Sequence, residues 1–173
     1  MTTSQTISFD LHVHYAQAYL VDDAEDAETP SDLLDDHPTH PVGIIRVEGE
    51  SALLITGLHT GPVGFTVTVA DADPGADTDG YEDIVEISFE SEAGQVSVHE
   101  WGGEEVHELP ELAAGPGCYR LRYHAKGMDE AAAVDTSQEI IDRYLLQIWP
   151  QDESAPAVVK STSKHLAHWL AAG

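Results

Sequence analysis

The stretch "ISFDLHVHY", residues 7–15, alternates apolar and polar residues without a break. Ile7, Phe9, Leu11, Val13 and Tyr15 fall on one side, and Ser8, Asp10, His12 and His14 on the other. Successive side chains of a strand point to opposite faces, so this period of two predicts a strand with one buried side. The same period recurs down the chain. "VGFTVTVAD" (63–71) turns Phe65, Val67 and Val69 inward. "YEDIVEISFE" (81–90) turns Tyr81, Val85, Ile87 and Phe89 inward and Glu82, Glu86 and Glu90 outward. "CYRLRYHA" (118–125) turns Tyr119, Leu121 and Tyr123 inward and Arg120, Arg122 and His124 outward. "RYLLQIWP" (143–150) is apolar on both faces, which predicts a covered strand.

Turn residues divide these strands. "VGIIRVEG" and "SALLITG" read as a hairpin around Glu48, Gly49 and Glu50, and "GQVSVHEW" pairs with the strand before it across "SEAG". Only "STSKHLAHWLAA" reads as a helix, residues 161–172. Ser161 or Ser163 can cap it, and Leu166, Trp169 and Leu170 form its apolar stripe. Roughly eight or nine short strands and one terminal helix predict an all-β chain, an antiparallel β-sandwich with a short C-terminal helix. The length of 173 residues fits a single domain, 1–173, carrying a long acidic loop over 21–41. No apolar run is long enough to span a membrane, and "MTTSQTISFD" lacks the features of a secretory signal, so a cytoplasmic location is expected. The lone cysteine, Cys118, cannot close an internal disulfide and reads as an inert thiol.

Charge is the dominant feature of the composition. Thirty-two acids face seven bases, a formal net charge of -25, and no Lys or Arg occurs between Val47 and Tyr119. A field of that sign repels nucleic acid and anionic membranes and favours a basic protein, cations or solubility. Phosphate-binding, nucleophile-elbow, zinc-protease and dinucleotide motifs are absent, and neither enzyme chemistry nor a cofactor is expected. "DADPGADTDGYED" resembles a calcium loop when Gly80 takes the place of the obligatory glycine, but Gly75 then stands where the first Asp is needed. His12 and His14 share a strand face in a spacing that metals use when a third ligand converges.

A protein-binding surface remains. Glu82, Glu86 and Glu90 recur on one strand face, where residues two apart stand roughly 7 Å from each other. With Asp79, Tyr81, Glu104 and Glu105 they form a candidate dock for the basic cleft of a nuclease or toxin. The parity of Trp101 differs from that of Val96 and Val98, which leaves two readings open: an aromatic anchor on the outer face, or a ring buried under a loop. Two alternatives stay open: a calcium-binding domain using Asp71 to Asp83, and a salt-adapted domain whose acidity serves solubility.

From Val85 to Trp149 the chain runs through a V-x-I-x-F strand, a glycine turn, a strand ending near "ELP", then G-x-Y-R-L, a methionine, and D-x-Y-L-L. In this order of features, and at Gly117, Tyr119, Leu121, Met128, Asp142 and Tyr144, it resembles the ComJ-type competence proteins. The resemblance implies a β-rich protein without catalytic residues that inhibits a partner nuclease.

Overall fold

The computed structural model describes residues 3–24, 42–48, 51–101 and 105–172. Most of the expected loop 21–41 and the tip of the first hairpin lie outside them. Eleven strands and two short helices are present among the described residues. They are β1 (Ser4–Val13), β2 (Gln17–Asp22), β3 (Ile45–Glu48), β4 (Ser51–Ile55), β5 (Gly61–Ala70), β6 (Asp83–Ser91), β7 (Val96–Glu100), β8 (Val106–Glu108), β9 (Gly117–Lys126), α1 (Met128–Val134), β10 (Arg143–Pro150), β11 (Ala157–Lys160) and α2 (Lys164–Ala172).

The strands form two sheets, ordered β1-β5-β10-β9-β6-β11 and β3-β4-β2-β7-β8. The chain is mostly β, as the period of two predicts, but the six-stranded sheet is mixed. β10 lies parallel to β5 and antiparallel to β9, which corrects the expectation of a wholly antiparallel architecture. The physical reason lies in the connection over residues 71–82, which crosses back along the sheet so that β6 runs in the direction of β5; β9 then reverses it and β10 reverses it again, leaving β10 parallel to β5. Central β10 is buried on both faces, as its unbroken apolar run requires.

Side chains from both sheets enter one hydrophobic core that includes Leu11, Leu20, Leu54, Phe65, Phe89, Val98, Leu121, Tyr123 and Tyr144. Phe65, Tyr123 and Tyr144 cluster at its centre, with Tyr123 and Tyr144 stacked at 5.4 Å. The Tyr123 hydroxyl crosses between the sheets to donate to the Ile55 carbonyl at 3.2 Å.

Two pairings differ from expectation. β7 does not form a hairpin with β6: it pairs with β2 and β8 in the other sheet. Asp22, at the end of β2, accepts hydrogen bonds from the Ser91 hydroxyl and the Glu92 and Ala93 N–H groups and so anchors the crossing. Tyr15 is not the last inward residue of the first strand. β1 stops at Val13, and a tight turn carries the chain into the other sheet.

The C-terminal helix begins at Lys164, later than expected. Ser163 caps it by accepting the Leu166 N–H at 3.0 Å, and Leu166 is buried in the core. Arg46 from β3 lies 5.1 Å over the Trp169 ring and ties the helix to the smaller sheet. α1 was not expected from sequence. Its Met128 and Ala131 are buried, and the N-cap residue before it, Gly127, adopts φ 81°.

Candidate binding surface

The acidic stretch 71–90 is largely engaged by the protein itself. Arg120, Arg122 and His124 were expected to face solvent from β9, but all three are buried. The loop before β6 and the segment after β10 fold over that face. Glu86 accepts from Arg120 Nε at 3.1 Å and Arg122 Nε at 2.8 Å. Asp73 takes the Arg122 fork at 2.7 and 3.1 Å, and Trp149 lies 4.5 Å from the guanidinium. The hydrogen bond to Arg122 holds the Asp73 carboxyl below its ordinary value. Glu86 is therefore the centre of an arginine pair, not a free member of an outward row.

The other expected residues are distributed around this cover. Glu82 is exposed and accepts the Gly127 N–H at 2.7 Å. Asp79 and Glu90 are exposed. Tyr81 is half-buried and meets His124 edge-on at 5.2 Å. It borders a groove of about 330 Å³ lined also by Asp10, Gly64, Thr66 and Arg143. Burial, and then the nearby Asp77 charge, raises the Tyr81 hydroxyl above its usual value. The calcium-loop candidates do not converge. Asp73 binds Arg122, Asp77 accepts the Gly80 N–H at 2.9 Å, and Asp83 is buried and accepts the Thr162 and Ser163 N–H groups.

A different region keeps its functional groups on the surface. At the β1–β2 connection Tyr15 and Ala16 both have positive φ, 55° and 56°, and the Gln17 N–H closes the turn on His14 O. This is a two-residue turn of the kind that usually takes Asn-Gly, because side chains resist that backbone region. Asp135, the other non-glycine residue with positive φ among those described, has φ 72 and ψ -59. Thr136 N–H donates to Val134 O across it, a γ-turn of the rare strained form. Both turns meet at His59, whose carbonyl accepts from Ala16 N–H at 2.9 Å and whose N–H donates to Asp135 O at 2.9 Å. Strained turns persist only where surrounding contacts hold them.

Those contacts come from the core. Asp142 accepts from the Gly57 and Leu58 N–H groups and the Tyr144 hydroxyl, and Tyr144 accepts from Gly57 N–H at 2.7 Å. Burial raises the Asp142 carboxyl above its ordinary value, against the pull of these donors. Met128 packs so closely that a Cβ on Gly57 would meet its carbonyl oxygen at 2.4 Å. Met128, Asp142 and Tyr144, which carry the sequence resemblance, thus clamp the segment that presents His59.

Around this segment stand four rings: His14, Tyr15, His59 and Trp101. Their neighbouring centroids lie 4.1 to 5.9 Å apart. Tyr15 is 51% exposed and Trp101 is 40% exposed. Of the two readings open for Trp101, the structure takes the outer-face one. Glu105 follows it in the same connection and is exposed, as is Asp135 beside His59. Glu104 lies outside the described residues. The structure therefore brings Trp101 together with Tyr15, His14 and His59, none of which the sequence marked as a contact residue. A turn signal could have revealed Tyr15, but "HYAQ" contains no glycine, asparagine or proline.

No family model matches the chain, and no curated protein matches it in sequence. Two solved structures match in fold. One is ComJ from Bacillus subtilis, described as an inhibitor of the DNA degrading activity of NucA. It aligns over 87% of this chain and 99% of its own, with a TM-score of 0.60 and 14% identity. The other, described as the product of crocagin biosynthetic gene J, aligns over 86% and 99%, with a TM-score of 0.57 and 13% identity. The likeness in fold extends well beyond the Val85 to Trp149 stretch in which the sequence pattern was visible. No helix among the described residues is long and apolar enough to cross a membrane.

Proposed function

We propose that the chain is a single-domain, non-catalytic inhibitor that binds and occludes a basic nuclease in the cytoplasm. The observation that carries this reading is the likeness to ComJ over nearly the whole of that protein. The surface supports it in two ways. Tyr15 and Trp101 are exposed aromatic side chains on a braced scaffold, and residues of this kind supply most of the affinity at protein interfaces. Exposed acids at Glu105, Asp135, Asp79, Glu82 and Glu90 surround the fold, while Arg46, Arg120 and Arg122 are buried. The outward field is therefore acidic and steers a basic cleft towards the rings. Occlusion needs no reacting group: the rings fill apolar space at the cleft, and the carboxylates take lysines and arginines that otherwise hold phosphates.

The test is capture on the tagged full chain from its own lysate at low salt, with elution by salt and a DNA-degradation assay on the eluted protein. A nuclease should be retained, and one equivalent of the chain should suppress its cleavage of DNA. Recovery of a nuclease whose activity is unchanged by excess chain, or retention of no nuclease, refutes the reading.

A further inference from the structure

The β7–β8 hairpin places three metal-ligating side chains on one face. Val98 opposes His107 and His99 opposes Val106, so Glu100 opposes Glu105 one step further on. The Glu100 N–H closes this last pair on Glu105 O at 3.0 Å. Glu100, Glu105 and His107 each bring a ligand atom within 4.8 Å of the other two.

Two features separate this group from an ordinary acidic surface. Glu100 is only 6% exposed, and like charges directly opposed across strands destabilise a sheet unless a cation lies between them. Among the described residues its ion pair is with His107, at 3.1 Å, and both hydrogen bonds it accepts, from His107 and the His12 N–H, fall on Oε2. The His107 ring is also held in place: Phe9 stacks on it at 4.2 Å with an interplanar angle of 9°. A ligand fixed by packing loses little freedom on binding.

The geometry points to a binding site for one divalent transition cation, held by His107 Nε2 and the Glu100 and Glu105 carboxylates. One imidazole and two carboxylates form a donor set for zinc or manganese, whereas calcium takes six to eight oxygens. On binding, the ion replaces the His107–Glu100 hydrogen bond and neutralises the opposed carboxylates. It would also close the base of the connection that carries Trp101. This inference is independent of the inhibitor reading.

Isothermal titration of the chelator-stripped full chain with zinc chloride, and separately with calcium chloride, tests it. One zinc should bind per chain, with calcium weaker. Glu105→Gln alters an exposed side chain, so the variant should fold, and it should weaken zinc about tenfold or more. His107→Ala should remove the site. Zinc binding that is absent, that is unchanged in both variants, or that is weaker than calcium binding overturns the proposal.

Discussion

The face covered by residues 71–81 and the end formed by Tyr15, His59 and Trp101 handle their polar and aromatic groups in opposite ways. On the covered face, the carboxylates of Asp73 and Glu86 bind buried arginines, and the groups stabilise one another. At the aromatic end, backbone strain is held in place by Asp142 and Tyr144, and large rings remain in solvent. The first region looks functional in sequence and acts as structure. In the second, the sequence marks Trp101 alone as a contact residue, and the structure gathers Tyr15, His14 and His59 beside it. Charge density in the sequence therefore does not separate carboxylates left in solvent from those already paired with arginine, such as Asp73 and Glu86.

The comparison can be broken most directly at Arg122. Its replacement by Ala leaves Glu86 with Arg120 alone and frees the half-exposed Asp73 from the cover, and the loss should be about 1–3 kcal/mol, read by chemical denaturation. A variant of wild-type stability would mean that the arginine pair does not hold the cover.

At the other end, Tyr15→Ala with Trp101→Ala should leave the fold near wild-type stability. Binding to a recovered partner should weaken by about 2 kcal/mol or more, roughly thirtyfold. The charge reversal Glu90→Lys should cost far less at that interface. Equal effects of the two changes would erase the distinction between the regions.

Ala16→Gly sharpens the comparison. Glycine adopts positive φ without a side-chain penalty, so melting should shift upward by the equivalent of about 1 kcal/mol, with partner binding retained. An unchanged or lower melting temperature would show that the turn carries no such strain.

Acidification should act gradually on the covered face. Burial lowers the proton affinity of His124, and its ring donates from Nδ1 to Leu145 O while Nε2 accepts the Asp77 N–H, so the neutral form is the one the fold uses. Burial lowers His99 and His165 as well. For a base with a depressed folded pKa, the unfolded chain binds more protons below about 6.5, so stability falls as pH drops through that value. Asp142, raised by burial, works the other way at lower pH, where its protonation relieves a buried charge. Melting temperature against pH should therefore decline below about 6.5, and His124→Ala should flatten part of that decline. A flat profile in the parent chain would show that the three histidines titrate normally.

Much of the molecule was legible from residue order. Alternation in 7–13, 63–69, 85–89 and 118–125 correctly marked β1, β5, β6 and β9, and the unbroken apolar run at 143–150 marked the covered strand β10. Ser163 and the Leu166–Trp169–Leu170 stripe marked α2. These signals are local: a strand's pleat and a helix's turn are properties of consecutive residues, so one stretch contains its own evidence.

What only the tertiary structure decided depends on residues far apart in the chain. The parallel placement of β10 beside β5, the passage of β7 into the second sheet, the burial of Arg120 and Arg122 under the acidic loop, and the meeting of Tyr15, His59 and Trp101 all belong to this class. A carboxylate's role is set by the nearest opposite charge in space, and an aromatic residue's exposure by what packs over it. Neither is encoded in the residues on either side.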